Sequence, residues 1–144
     1  MVVHLAQPVP ETSARILIAE DNPLNRSMLQ ALLESAGLSV ETVDDGHQAV
    51  TAWSYATWDV IVMDIHMPGL DGFGAAREIR AREIANGGPR TPIIALTGDA
   101  STACQEACLA AGIDQISTKP IDLEGLLSAI DLALTQAMPL RRTA

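Results

Sequence analysis

Glu20 and Asp21, Asp64, Thr97 and Lys119 are the residues of this chain whose types and positions point to chemistry, because each follows a short apolar run. Asp64 closes Asp59-Val60-Ile61-Val62-Met63-Asp64, and the unbroken apolar run before it reads as a strand buried on both faces, as in a parallel sheet. A carboxylate at the end of such a strand has no structural duty. Left uncompensated, it costs several kcal/mol or stays protonated. Pro68 fixes φ, and Gly69 and Gly72 permit left-handed backbone, so a stiff turn presents Asp64 at the sheet rim. The plain alternative is a helix-cap or turn aspartate.

Glu20-Asp21 ends the apolar run Ile16-Leu17-Ile18-Ala19, and adjacent carboxylates repel unless a cation or basic side chain lies between them. Carboxylates gathered in one cleft call for a hard cation, and an oxygen-lined site suits Mg²⁺. With its charge balanced, Asp64 can act as a nucleophile toward phosphorus. The three charged oxygens of a transferring phosphoryl group then need partners. The cation can take one, the Lys119 ammonium a second and the Thr97 hydroxyl a third. Taken singly, Lys119 is an ordinary surface lysine and Thr97 an ordinary turn hydroxyl. Their common place at strand ends carries the reading.

The elements that must position them alternate. The first strand, Arg15 to Ala19, leads to Asn22-Pro23, a cap and first-position proline opening a helix with Leu24, Met28, Leu29, Leu32 and Leu33 at helical spacing, stopped by Gly37. Ser39 to Val43 reads as a strand more exposed on one side. Asp45-Gly46 then punctuates the chain before a helix through Ala49, Val50 and Trp53. After Asp64 a helix runs from about Gly72 to Ile84, with Phe73, Ala76 and Ile79 inward. Pro92 to Leu96 is an apolar strand ending in Thr97-Gly98, and Ser101 to Ala111 is a helix carrying Cys104 and Cys108. Ile113 to Thr118 is a short strand ending in Lys119-Pro120, and the last helix spans about Leu123 to Gln136. This alternation predicts an α/β fold: a doubly wound parallel sheet with right-handed crossovers and helices on both faces. In such a sheet the carboxyl ends of the strands share one edge, where ligands bind.

Composition narrows the function. A net charge of −9 and a pI near 4.5 argue against nucleic acid or an anionic membrane surface as the main partner. No apolar run reaches transmembrane length, and residues 1–10 lack the pattern of a secretory signal, which predicts a cytoplasmic location. Cys104 and Cys108 have no further ligands nearby for zinc and read as small packed residues. Residues 1–13 read as a tail or linker, 14–137 as one domain and 138–144 as a tail too short for a DNA-binding module.

Across about residues 14 to 137 the chain resembles the receiver domain of two-component response regulators. The resemblance rests on Glu20-Asp21, Met63-Asp64 with Met67-Pro68 and Asp71-Gly72, Ala95-Leu96-Thr97-Gly98, and Lys119-Pro120. It implies five strands in the flavodoxin-like order 2-1-3-4-5 with five helices. It implies that Asp64 accepts a phosphoryl group from the phosphohistidine of a histidine kinase or histidine phosphotransfer protein. Asp21 and Asp64 would ligate Mg²⁺ with the backbone carbonyl of His66, Glu20 helping through water, while Thr97 and Lys119 sense the phosphoryl group. Such a module catalyses only its own phosphorylation and dephosphorylation. It signals to a downstream protein target through the face of the fourth helix, fifth strand and fifth helix, with its oligomeric state left open. Asp21-Asn22 with Asn25, and Thr91-Pro92-Ile93-Ile94, resemble receivers joined to hybrid sensor histidine kinases, so the chain reads either as a stand-alone regulator or as a module of such a kinase.

Two positions depart from the family pattern. Ile116 stands where an inward-turning Tyr or Phe is usual, and His66 stands two residues after Asp64. By resemblance, His66 and Asp99 flank the path of the attacking water, and facing each other they could pair and partly close it. Two other readings compete. A haloacid-dehalogenase-like phosphatase needs an aspartate where His66 stands. A flavin-binding module needs a hydroxyl- and glycine-rich phosphate loop where Glu20-Asp21 would repel the phosphate.

Overall fold

The computed structural model describes residues 13–143, with side chains as far as residue 136. Its strands are β1 (Arg15–Ala19), β2 (Ser39–Val43), β3 (Val60–Asp64), β4 (Ile93–Thr97) and β5 (Gln115–Thr118). They alternate with α1 (Pro23–Ser35), α2 (Gly46–Tyr55), α3 (Gly72–Asn86), α4 (Thr102–Ala110) and α5 (Leu123–Thr143). The sheet order is β2-β1-β3-β4-β5, as the family resemblance implied, with every neighbouring pair parallel, as the alternation of elements predicted.

The two-residue period of a strand explains why the apolar runs are unbroken. Leu17, Ala19, Ile61, Met63, Ile93 and Ala95 face α2, α3 and α4, meeting Val50, Ala76, Ile79 and Cys108. Ile16, Ile18, Val60, Val62, Ile94 and Leu96 face the other way, onto Leu29 and Leu33 of α1 and Leu126 and Ile130 of α5. Both faces of the three central strands are therefore core. The loops that leave the carboxyl ends of β1, β2, β3 and β4 are pinned where the next helix begins. Asn22, Asp45, Asp71 and Ser101 each accept a hydrogen bond from the amide three residues on, those of Asn25, Gln48, Gly74 and Cys104. Such caps contribute about 1 kcal/mol each and hold the site loops in place.

Two boundaries and one helix face differ from expectation. β5 starts at Gln115 and not at Ile113, because the Asp114 carboxylate accepts the Ile93 amide at 2.9 Å and an Arg80 guanidinium nitrogen at 2.8 Å. α5 continues to Thr143, past the expected end at Gln136, since a proline such as Pro139 removes one helical hydrogen bond without forbidding the helix. In α1, Leu24 is 77% and Met28 42% exposed, so the buried stripe of that helix is narrower than its apolar spacing suggests. The tail expected over residues 1–13 lies, apart from Ser13, outside the described residues.

Candidate functional site

The carboxyl edge of the sheet gathers the acidic residues. Glu20 and Asp21 follow β1, and Asp64 ends β3, beside β1 in the sheet. Glu20 and Asp64 are buried while Asp21 is exposed, and one carboxylate oxygen from each lies within 4.8 Å of the others. Lys119, the next residue after β5, reaches across: its Nζ is 3.2 Å from Glu20 Oε1 and 3.4 Å from Asp64 Oδ2. The shorter contact is ionic and falls short of a hydrogen bond, since Glu20 Oε1 has no hydrogen-bond partner among the described residues. The remaining carboxylate oxygens are held from the backbone. Asn22 N–H donates to Glu20 Oε2 at 3.1 Å, and His66 N–H donates to Asp64 Oδ1 at 3.1 Å.

The electrostatics follow from burial. Burial pushes the Glu20 carboxyl above its ordinary value; the Asn22 amide opposes this and the Asp64 charge adds to it. Burial by itself would lower the Lys119 ammonium, but the Asp64 and Glu20 charges outweigh it and hold the group above its ordinary value. One ammonium thus serves two buried carboxylates with a third acid beside them. The donors offered are all carboxylate oxygens, one of them an orphaned buried acceptor. That is the donor chemistry of a hard divalent cation such as Mg²⁺, and the residues present fit it.

Thr97 ends β4 fully buried, and its hydroxyl oxygen accepts the Asp99 N–H at 3.0 Å, with Cys104 Sγ 3.9 Å away. The Lys119 N–H donates to the Thr97 carbonyl at 2.8 Å, which ties two of the expected residues together through backbone.

A model of the response regulator receiver domain matches residues 16–131. The chain belongs to the receiver domain family. The chain spans 16% or less of the first curated relatives it matches. It is 35% identical over 142 residues to the sensor protein GacS of Pseudomonas syringae, a match that covers 96% of this chain and 16% of GacS. The receiver domain of the sensor histidine kinase PA1611 of Pseudomonas aeruginosa, solved with magnesium in its active-site cleft, superposes with a TM-score of 0.77 at 40% identity, over 86% of this chain and 99% of that one. The receiver domain of Ssk1 from Saccharomyces cerevisiae, solved with the histidine phosphotransfer protein Ypd1, gives 0.81 at 31% identity over 91% and 94% of the two chains. The resemblance to receivers of sensor kinases is thereby borne out, and the phosphatase alternative finds no support.

In this receiver the other expected positions are placed less tightly. His66 is exposed, and its amide rather than its ring meets Asp64. Asp99 is exposed too. Its carboxylate takes the Ser101 N–H at 2.9 Å, and that bond, ahead of the His66 charge, holds it below its ordinary value. No ion pair joins Asp99 to His66 among the described residues. Ile116 is half-buried and packs against the α2–α3–α4 side of the core. Sequence reasoning overlooked Arg26, whose guanidinium donates to the Glu20 carbonyl at 2.9 Å, and Cys104, the neighbour of Thr97. Arg26 stands one turn into α1 from the acidic pair, a spacing that could have drawn notice. Cys104 carries no such signal. Two concavities of about 650 and 470 Å³ lie elsewhere, one lined by Arg77, Ile84 and Leu109, the other by Trp58, Pro92 and Ala133; neither touches the carboxylates.

Proposed function

We propose that this receiver accepts a phosphoryl group on Asp64 from the phosphohistidine of a histidine kinase or histidine phosphotransfer protein. The supporting observation is the arrangement of Lys119 between two buried carboxylates with Asp21 in ligand range. Asp64 Oδ attacks phosphorus, the histidine N–P bond breaks, the imidazole leaves, and an aspartyl phosphate remains. Mg²⁺, held by Asp21, Asp64 and the His66 carbonyl with Glu20 helping through water, would neutralise the carboxylates and polarise the phosphoryl oxygens. Lys119 is already within reach of Asp64 and supplies a fixed positive charge to the charge that builds on the phosphoryl group. The Thr97 hydroxyl accepts from Asp99 and keeps its own proton free to donate to a phosphoryl oxygen. That move draws on the Gly98–Ser101 segment and biases α4, β5 and α5 between two arrangements, the route to a downstream target. With Ile116 in place of an aromatic, the packing change at β5 is smaller. His66 and Asp99, apart at rest, would modulate how water reaches the aspartyl phosphate.

The relatives and the surface support this reading of the partner. Ssk1 was solved with a phosphotransfer protein, and here Leu24 and Met28 expose an apolar stripe on α1 just after Glu20-Asp21. That stripe suits docking of a helical phosphodonor beside Asp64. Because the curated relatives it matches include sensor kinases such as GacS and BvgS, we read it as a receiver of the hybrid-kinase type working on the cytoplasmic side, either joined to such a kinase or acting alone. Acetyl phosphate or a phosphohistidine donor should label the protein only with Mg²⁺ present, and Asp64→Asn should abolish the label. Labelling that survives Asp64→Asn would assign the acceptor to another residue.

A further inference from the structure

The loop from Ile65 to Asp71 carries the His66 carbonyl, yet its own bonds alone do not set its position. Gly72 N–H donates to the Ile65 carbonyl at 2.9 Å and closes the loop on itself. What it rests against is the first turn of α2. A methyl group at Gly46 would overlap the Leu70 carbonyl oxygen and stand 2.9 Å from the carbonyl carbon. Both atoms are backbone, so no side-chain rotation could relieve the overlap. The next residue lies close by as well: a Cβ on Gly69 would stand at an ordinary contact distance, 3.8 Å, from the His47 ring. Asp45 caps this turn by accepting the Gln48 amide at 2.8 Å, so the surface that meets the loop is itself held rigidly.

We propose that Gly46 is a positioning residue for the Mg²⁺ and phosphoryl site: its bare Cα is the stop against which the β3–α3 loop seats the His66 carbonyl. The inference rests on the proposed reading of Asp64 as phosphoacceptor. Gly46 touches neither cation nor phosphoryl group and acts through Leu70 and the loop backbone. A side chain here must drive α2 and the loop apart, and the carbonyl moves with the loop. Because a ligand held from backbone has no rotamer with which to recover its place, affinity for the cation should fall sharply.

Mg²⁺ titration of Gly46→Ala, followed by amide shifts in the intact protein without any phosphodonor, tests this. Binding is expected to weaken by about ten- to hundredfold, the usual cost of losing support behind a metal ligand. Gly88→Ala, where the added methyl meets nothing within 4 Å, should bind as wild type does. A folded Gly46→Ala protein with wild-type affinity would overturn the proposal. If Gly46→Ala does not fold, the wild-type titration decides. Shifts at Gly46 and His47 that track those of Gly69 and Leu70 support it, and a silent α2 turn overturns it. A wild-type protein that binds no Mg²⁺ at all would remove the reading beneath the inference, and the inference with it.

Discussion

Two clusters of charge sit in this domain with opposite satisfaction. Beyond the amino ends of β4 and β5, Arg80 donates to Glu83 at 2.8 Å, to the Thr91 carbonyl at 2.7 Å, to the Gly112 carbonyl at 2.9 Å and to Asp114 at 2.8 Å. Glu83 accepts the Thr91 amide at 2.7 Å in return, and Asp114 accepts that of Ile93. At the carboxyl ends, acidic groups share one ammonium, and Glu20 Oε1 is left without a hydrogen bond among the described residues. The first cluster fastens α3 to the strands behind it. The second holds like charges together at a cost that a bound cation can relieve. Burial of charge is common to both; what differs is whether the protein itself completes the bonding, and the incomplete cluster is the one with a ligand to receive.

The contrast breaks most severely at Arg80. Arg80→Met keeps much of the volume but leaves Glu83 buried without its cation. Removing one member of a buried ion pair typically costs about 3–5 kcal/mol, a large share of the roughly 5–15 kcal/mol that holds a domain together. Urea unfolding should show that loss, and adding Glu83→Leu to the same chain should recover part of it. A cost below about 1 kcal/mol would mean that the network is ornamental.

Cys108 offers a buried ionisable group with no charge partner. Burial, and then the neighbouring Cys104, push its thiol from 9.0 up to about 11. Both states hold a neutral thiol below pH 9. Above that the unfolded chain gives up its proton first, so stability falls as pH rises from about 9 toward 11. The effect is smaller than losing Arg80, because no charge is buried at neutral pH. Cys108→Ala should remove this part of the alkaline slope in unfolding experiments, and an unchanged slope would exclude the thiol as its source.

At the carboxyl edge removing a charge should stabilise the fold, the opposite of its effect at Arg80. Folding holds Glu20 above its ordinary value, so its ionised form opposes the fold at neutral pH. Glu20→Gln, measured with a chelator present, should therefore stabilise the protein, by about 1 kcal/mol if it behaves like other relieved functional sites. The same substitution should weaken Mg²⁺ binding. A destabilised Glu20→Gln protein would mean that its pairing with Lys119 outweighs burial and repulsion, and the two clusters would then be alike.

The incomplete cluster was the more legible of the two. Asp64 stands out because an apolar strand runs straight into it, and Pro68 and Gly69 mark the turn within a few residues. A parallel sheet covered on both faces also followed from alternation and unbroken apolar runs, whereas the strand order came from the resemblance to receiver domains. The complete cluster left no such trace. An arginine in a helical stretch reads as solvated, and the partners of Arg80 lie as far along the chain as Asp114. Leu24 and Met28 show the related limit, since 3.6-residue spacing says which side chains share a face and not how far the core extends beneath it. The sequence left open whether His66 and Asp99 meet; here Asp99 is hooked to the Ser101 amide two residues on, a turn chemistry visible in Asp-Ala-Ser.

The smallest effect comes from the same helix as the largest. Arg82 lies two residues beyond Arg80 and also pairs with an acid, Glu78, at 3.1 Å. Here both side chains are 46% exposed, so water already solvates each charge and the pair gains little by meeting. Exposed pairs four apart on a helix contribute about 0.3–0.5 kcal/mol, and salt screens them further. Arg82→Ala should therefore change stability by less than about 0.5 kcal/mol, and by less still in high salt, whereas the loss in Arg80→Met should persist when salt is raised. Equal costs at the two arginines would show that α3 depends on helical charge pairing in general. A tenfold difference in cost would assign the stability to the desolvated Arg80 guanidinium and its four hydrogen bonds.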